Sequence, residues 1–429
     1  MVFSTRATIC SGHLRAMRVG AQVLVVVLAF ACIASGQQPK KKIPPPPFEL
    51  LPAEQAWLLE LEAPPSAAAA MDAERVYVVL QTETVVAVNR EDGTVAWTSA
   101  IESAWPPVVA GGVVFIAASD ELHGLDANTG ERLWRVPLEL PLLAPMAFHA
   151  GSLLAVLERG DLIGVRPDDG REIWRQRVST ARPLFAPVGG EGDAFYLTFD
   201  DGNVVALSPA DGTTRWRRRL PGRLSEPAVG KDRVFVGSTN NFLYALDAED
   251  GSIKWQWRTG GDVIGASADR TGRVYVASLD NLLRAVNHGN GNQRWRKDVT
   301  SRPAMPPWVF GYPLPAAGSE AGRLKPAPTA LDLERGDDIV LLTGVAPIIT
   351  SYSGKTGLVV GSYTAPAELQ GAPLVDPVLT PFRVAMVVLT RDGRLIGLHP
   401  TAMLFKESAV TPLSALPGTR LGRELLLSP

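Results

Sequence analysis

The sequence predicts an all-β fold, an eight-bladed β-propeller of four-stranded antiparallel blades. Three observations carry that expectation. A Gly-x-x-x-Trp signature recurs as Gly93/Trp97, Gly130/Trp134, Gly170/Trp174, Gly212/Trp216, Gly251/Trp255 and Gly291/Trp295. Successive glycines are 37, 40, 42, 39 and 40 residues apart, and a period of about 40 residues holding four short strands is that of a propeller blade. In the same frame, strands rich in β-branched residues begin near Val76, Val113, Leu153, Ala194, Val234, Val274, Ile339 and Val384, eight in all. Finally, 35 prolines and 40 glycines in 429 residues suit a loop-dense sheet protein better than a helical one.

The unit is clearest at Val234–Trp255. Val234, Val236, Leu243, Ala245 and Leu246 occupy apolar strand positions. Asn240-Asn241 and Glu249-Asp250-Gly251 supply turn chemistry, because Gly and Asn tolerate the positive φ such turns need. Each repeat Trp, on an outer strand, buries roughly 200 Å² between neighbouring blades. Its indole N–H is expected to bond a backbone carbonyl next door. Trp57, Trp97, Trp134, Trp174, Trp216, Trp255 and Trp295 are therefore read as structural.

The ends of the array bear on closure. Trp57 lies in a strand with no first three strands before it, and the last unit, Val384–Pro400, lacks a Trp strand after it. An N-terminal strand that completes the final blade removes an exposed sheet edge. Met403–Lys406 competes for that place, and Trp57 is favoured. The seventh unit departs from the pattern. Gly361 stands where Trp is expected, and Tyr312–Asp337 separates the inner strand, Met305–Phe310, from Ile339. An insertion in a repeat array maps to a loop on one face, either a binding loop or a plain surface loop. The expected organisation is a signal peptide over 1–36, a Lys/Pro-rich tether over 37–55, the propeller over 56–405 with its insertion at 312–337, and a tail over 406–429.

The N-terminus reads as an export signal. Met17-Arg18, with Met17 an alternative start, precedes the apolar run Val23–Ala31, too short to cross a bilayer. Leu28-Ala-Phe-Ala-Cys32 has the look of a lipobox, which would make Cys32 a lipid attachment site. The rival reading is ordinary cleavage after Ala34 or Gly36. Lys40–Lys42 and Pro44–Pro47 then suit a stiff extended tether.

Composition narrows the chemistry. Formal net charge is −2, and the first 36 residues hold three arginines and no acid, so the rest carries −5. That balance gives no global attraction to nucleic acid or anionic lipid. Cys10 and Cys32 are the only cysteines, so no residue after 32 can form a disulfide, a thiolate metal site or a catalytic thiol. His13, His123, His149, His288 and His399 show no metal-ligand spacing. Asp247-Ala-Glu-Asp250-Gly251 lacks the spacing of a calcium loop and recurs as a turn signal. Gly354-Lys355-Thr356 lacks the earlier glycine of a phosphate loop, since position 349 is Ile. No Gly-x-Ser-x-Gly elbow is present. Arg217-Arg218-Arg219 is the densest cationic run, a candidate for docking an acidic partner and otherwise a solvated strand.

LYALDAEDGSIKW (Leu243–Trp255) and LHGLDANTGERLW (Leu122–Trp134) resemble the repeat of pyrroloquinoline-quinone-type propellers. The resemblance covers roughly residues 56–405. It implies one of two branches. In the quinoprotein dehydrogenases the quinone is typically stacked between a Trp and a disulfide of adjacent cysteines, with calcium on carboxylate and amide groups. The other branch is non-catalytic and includes the lipoprotein subunit of the outer-membrane β-barrel assembly machinery. Lack of cysteine favours the second branch: no enzyme, no cofactor, and protein partners drawn from that machinery's barrel-forming subunit. The alternatives are a dehydrogenase using pyrroloquinoline quinone and calcium, and an extracytoplasmic ligand-binding propeller with 312–337 as a lid.

Overall fold

The computed structural model describes residues 50–179, 181–190, 194–310, 338–376 and 384–400. The signal peptide, Cys32, the tether as far as Glu49, the insertion 312–337, Met403–Lys406 and the tail lie outside the described residues.

Strand formation follows the period-2 logic of the repeat. In blade 5, Arg233–Gly237, Phe242–Asp247 and Ile253–Arg258 form the second to fourth strands, paired in register as Phe235↔Ala245 and Ala245↔Trp255. Asp247 Oδ1 accepts the Glu249 N–H at 2.9 Å and turns the chain between the third and fourth strands. Gly251 completes the turn at φ +67°. A Cβ there would also lie 2.5 Å from the Trp216 ring of blade 4. The repeat glycine is thus required twice over, by its φ and by the indole pressed against it.

Eight such sheets are present, each four-stranded and antiparallel. The first strands of successive blades are neighbours and ring the hub, and the Trp strands form the rim. Eight apolar clusters mix adjacent blades pairwise, one per seam. Second and third strands are buried on both faces, as in Val76–Leu80 and Val85–Val88. Their side chains therefore read as continuous apolar runs rather than as alternation.

Blade 8 closes the ring with both ends of the chain. Ala53–Glu60 pairs antiparallel with Arg394–Pro400 as its fourth strand, with Trp57 opposite Gly397. The favoured closure is correct. The propeller begins before Ala56, however: Leu50 and Leu51 are fully buried among Leu341, Ile349 and Met386. Residues 50–55, assigned to the tether from their polar and proline-rich surroundings, belong to the folded body.

Candidate interaction surfaces

Seven seams are pinned by indoles. Each repeat Trp donates its indole N–H to a turn carbonyl of the following blade. Trp57 reaches Arg90 at 2.8 Å, Trp97 reaches Ala127 at 3.0 Å, Trp134 reaches Pro167 at 2.8 Å and Trp174 reaches Pro209 at 2.7 Å. Trp216, Trp255 and Trp295 do the same with Ala248, His288 and Gly354 at 2.9, 2.9 and 2.8 Å. Within its own blade each ring lies over a small residue of the third strand. At Gly124 a Cβ would come 2.3 Å from Trp134. These tryptophans are committed to seams, as expected from the sequence.

The missing eighth Trp has a structural reason. A Cβ on Gly361 would lie 2.3 Å from the Leu51 carbonyl carbon. Leu50 and Leu51 fill that seam instead. Blade 8 moreover has no hairpin between its third and fourth strands, since they come from opposite parts of the chain. An indole at 361 would find neither the turn carbonyl nor the glycine that the other seven use.

The sheet topology sorts the loops onto two faces. Turns joining first to second and third to fourth strands lie on one face; the remaining turns and the blade-to-blade connections lie on the other. Phe310 ends the first strand of blade 7 and Asp338 precedes its second, so the described residues on either side of 311–337 lie on the first face. Asp338 there meets blade 6. Thr271 Oγ1 donates to it at 3.4 Å and Arg273 Nη1 lies 3.6 Å away. Asp269 accepts from Tyr275 Oη at 2.8 Å and from Thr271 Oγ1 at 2.8 Å. Burial, and then the hydrogen bond with Asp269, push the Asp338 carboxyl up to about 7.

Two further buried ionic groups sit at seams. Arg90 of blade 1 pairs with Asp376 of blade 8 at 2.9 Å, both almost wholly buried. On the second face, Arg284 lies 5.4 Å over the Trp257 ring and forks onto Asp280. Burial raises the Asp280 carboxyl, but Arg284, Ser278 and the Gly260 N–H outweigh it and hold it at about 2. Spacing along the chain does not reveal these groups, because Asp269 and Asp338 are 69 residues apart and Arg90 and Asp376 lie on the first and last blades. A faint signal was present: Asp72…Arg75…Tyr77 and Asp269…Arg273…Tyr275 repeat a motif whose Tyr hydroxyl bonds its Asp in both blades.

The arginine run does not act as one patch. Alternation along Thr214–Arg219 places Arg217 and Arg218 on opposite sides of blade 4. Arg217 donates to the Val178 carbonyl beside blade 3, whereas Arg218 Nε donates to the Gly251 carbonyl of blade 5 at 2.7 Å. Arg217 and Arg219 remain exposed on the rim.

The other motifs are turns and packing groups. Asp250 Oδ1 caps the Ser252 N–H at 2.7 Å, and Thr356 bonds Ser353 across the blade 7 turn. His123 lies on blade 2 and His288 follows the third strand of blade 6, on opposite sides of the ring, and burial lowers the pKa of each. His149 packs edge-on against Phe195. Among the described residues no three His, Cys, Asp or Glu gather as metal ligands. A recess between blades 2 and 3, lined by Leu122, Val136, Ile163 and Gly170, measures 30 Å³, room for one water.

The pattern of the family described as "Outer membrane protein assembly factor BamB" matches residues 52–186 and 200–337. The chain belongs to this family. BamB of Bordetella pertussis is 29% identical over 143 residues, 32% of this chain and 37% of that protein. BamB of Yersinia pestis is 33% identical over 112 residues, 24% of this chain and 28% of that protein. The matched stretches thus span about a third of these curated relatives. The crystal structure of BamB from Moraxella catarrhalis superimposes with a TM-score of 0.59 at 16% identity, covering 81% of this chain and 99% of that one. A quinohemoprotein alcohol dehydrogenase of Pseudomonas putida HK5 superimposes at 0.56 and 12% identity, covering 80% and 72%. At such identities the likeness shows the fold alone.

Proposed function

We propose that this BamB-family propeller is a non-catalytic scaffold of the cell envelope that takes part in outer-membrane protein assembly. The family match over residues 52–186 and 200–337 carries the reading. The donor chemistry supports it: no cysteine follows residue 32, so the disulfide on which such quinoproteins stack their cofactor is not encoded. No carboxylate group with calcium-ligand clustering occurs among the described residues. The residues present do not fit the quinone.

Scaffolding needs surface rather than a cleft. Among the described residues the first face offers twelve hairpin turns, and the rims of blades 7, 8 and 1, whose outer strands carry no Lys or Arg, offer strand edges whose free N–H and C=O groups can extend a partner sheet. The partner in this reading is the periplasmic part of the barrel-forming subunit. The chain is exported, and a lipid on Cys32 or cleavage after Ala34 or Gly36 sets its anchoring. The test is affinity purification of the tagged chain from detergent-solubilised outer membrane. Recovery of the barrel-forming subunit is expected. Its absence, together with dye reduction by protein supplied with pyrroloquinoline quinone and calcium, would overturn the scaffold reading.

A further inference from the structure

Net charge conceals how cations are distributed around the rim. The outer strand of blade 4, Thr214–Arg219, holds four arginines and no acid. That of blade 5, Ile253–Arg258, holds Lys254 and Arg258 and no acid. That of blade 6, Gln293–Asp298, holds Arg294, Arg296 and Lys297 against Asp298. The outer strands of blades 7 and 1, Val359–Thr364 and Val95–Ala100, carry no charge, and that of blade 8 carries only Glu54 and Glu60.

Pairing sharpens the contrast. On blades 2 and 3 most rim arginines are neutralised at home, Arg135 by Glu121, Arg175 by Glu172 and Arg177 by Asp161, while Arg132 has no carboxylate partner among the described residues. On blades 4 to 6, Arg217, Arg219, Arg258, Arg294, Arg296 and Lys297 have no carboxylate partner among the described residues, and all but Lys297 are exposed. Between them, on blade 5, Ile253 is 43% exposed and Trp255 and Trp257 are half-buried. Trp257 is held by the overlying Arg284 guanidinium.

We propose that the rim of blades 4–6 is a docking surface for anionic lipid headgroups. Unneutralised Arg and Lys flanking Trp and Ile is the composition of a membrane interface, where cations meet phosphate and amphipathic rings sit at headgroup level. An acidic protein fits less well. The three edges span about three-eighths of the ring, and cations scattered among Trp and Ile over that arc suit mobile headgroups, which redistribute laterally toward them, better than the fixed carboxylates of a protein. The uncharged and acidic edges of blades 7, 8 and 1 set the orientation by turning away. This attraction is local and salt-sensitive, acting within a screening length of about 8 Å at physiological ionic strength, and it goes beyond the assembly role.

The test is co-sedimentation of the full processed protein with vesicles of phosphatidylcholine alone or with about 30% phosphatidylglycerol, at low and high salt. A lipid anchor binds both compositions equally, and Lys40–Lys42 add the same anionic increment to every variant, so the loss in the rim variants isolates the rim. Binding is expected to rise on anionic vesicles, to collapse in ~0.5 M salt, and to weaken roughly tenfold or more in Arg217→Glu/Arg219→Glu/Arg296→Glu. Arg219→Gln/Arg258→Gln/Arg296→Gln, which adds no acid, should weaken it in the same direction, with melting temperature unchanged. Arg132→Glu/Arg171→Glu, outside the sector, should change it less than about twofold. Equal partitioning onto both compositions, or unaltered binding by both triple variants, overturns the proposal. So does retention on immobilised polyglutamate without anionic-vesicle binding, which would assign the rim to an acidic protein.

Discussion

An indole at a seam acts through two separable terms. Trp216 fills space against Tyr196 and Gly251, and its N–H satisfies the Ala248 carbonyl. Trp216→Ala loses both and leaves a cavity, an expected cost of about 3–5 kcal/mol in urea or guanidinium denaturation. Trp216→Phe keeps most of the packing and leaves the carbonyl without its donor, an expected cost of about 1–3 kcal/mol. The Asp338 carboxyl makes a pH-dependent contribution of defined sign. Its native pKa, about 7, lies above the carboxylate reference of 3.8, so the native state binds the extra proton. Its stabilisation is present below pH ~4 and is lost as pH rises through about 7. Asp338→Asn mimics the protonated group. It should flatten the change in melting temperature between pH 5 and pH 8 and melt above the parent protein at pH 8. A steeper pH dependence in the variant would contradict the raised Asp338 pKa.

At the scale of the element, the seventh blade shows why one outer strand breaks the repeat. Val359–Thr364 carries Gly361 because the Leu51–Pro52 backbone occupies the indole's place. Restoring the consensus with Gly361→Trp should therefore destabilise, by about 2–4 kcal/mol, since no rotamer avoids a fixed backbone. Leu51→Ala should cost a similar amount, about 2–5 kcal/mol, by emptying the same seam. A Gly361→Trp protein as stable as its parent would mean that residues 50–52 can leave the seam freely. On blades 4 and 5 the rim strands are kept from pairing with foreign edges by charge. The arginines of Thr214–Arg219 and the lysine of Ile253–Arg258 discourage sheet-to-sheet association.

For the whole molecule, closure decides stability. Seams couple each blade only to its neighbours, and the blade 8 seams depend on a strand from the chain's start pairing with one from its end. Removing residues up to Glu60 would strip the fourth strand, the Trp57 bond to Arg90 and the Leu50–Leu51 plug together. The expected result is loss of a single cooperative unfolding transition, with Ile396 and Leu398 uncovered and the protein aggregating, read by calorimetry and light scattering. The buried Arg90–Asp376 pair crosses the same junction. Asp376→Ala would leave a buried guanidinium with one fewer partner and should cost about 3–5 kcal/mol.

Local sequence determined the blade. Strand periodicity, Asp/Asn-Gly turns and the recurring Trp all act within a few residues, so the count of eight, the strand starts and the closing role of Trp57 were legible from the chain alone. The rim arginines were legible as residues but not as a surface, because net charge sums over a ring whose sectors differ in sign. Only the tertiary structure decided which side chains meet across seams: Gly361 with Leu51, Asp269 with Asp338, Arg90 with Asp376. The reason is physical. A turn or a strand is chosen by forces between neighbours in sequence, whereas a seam joins groups that only closing the ring brings within reach.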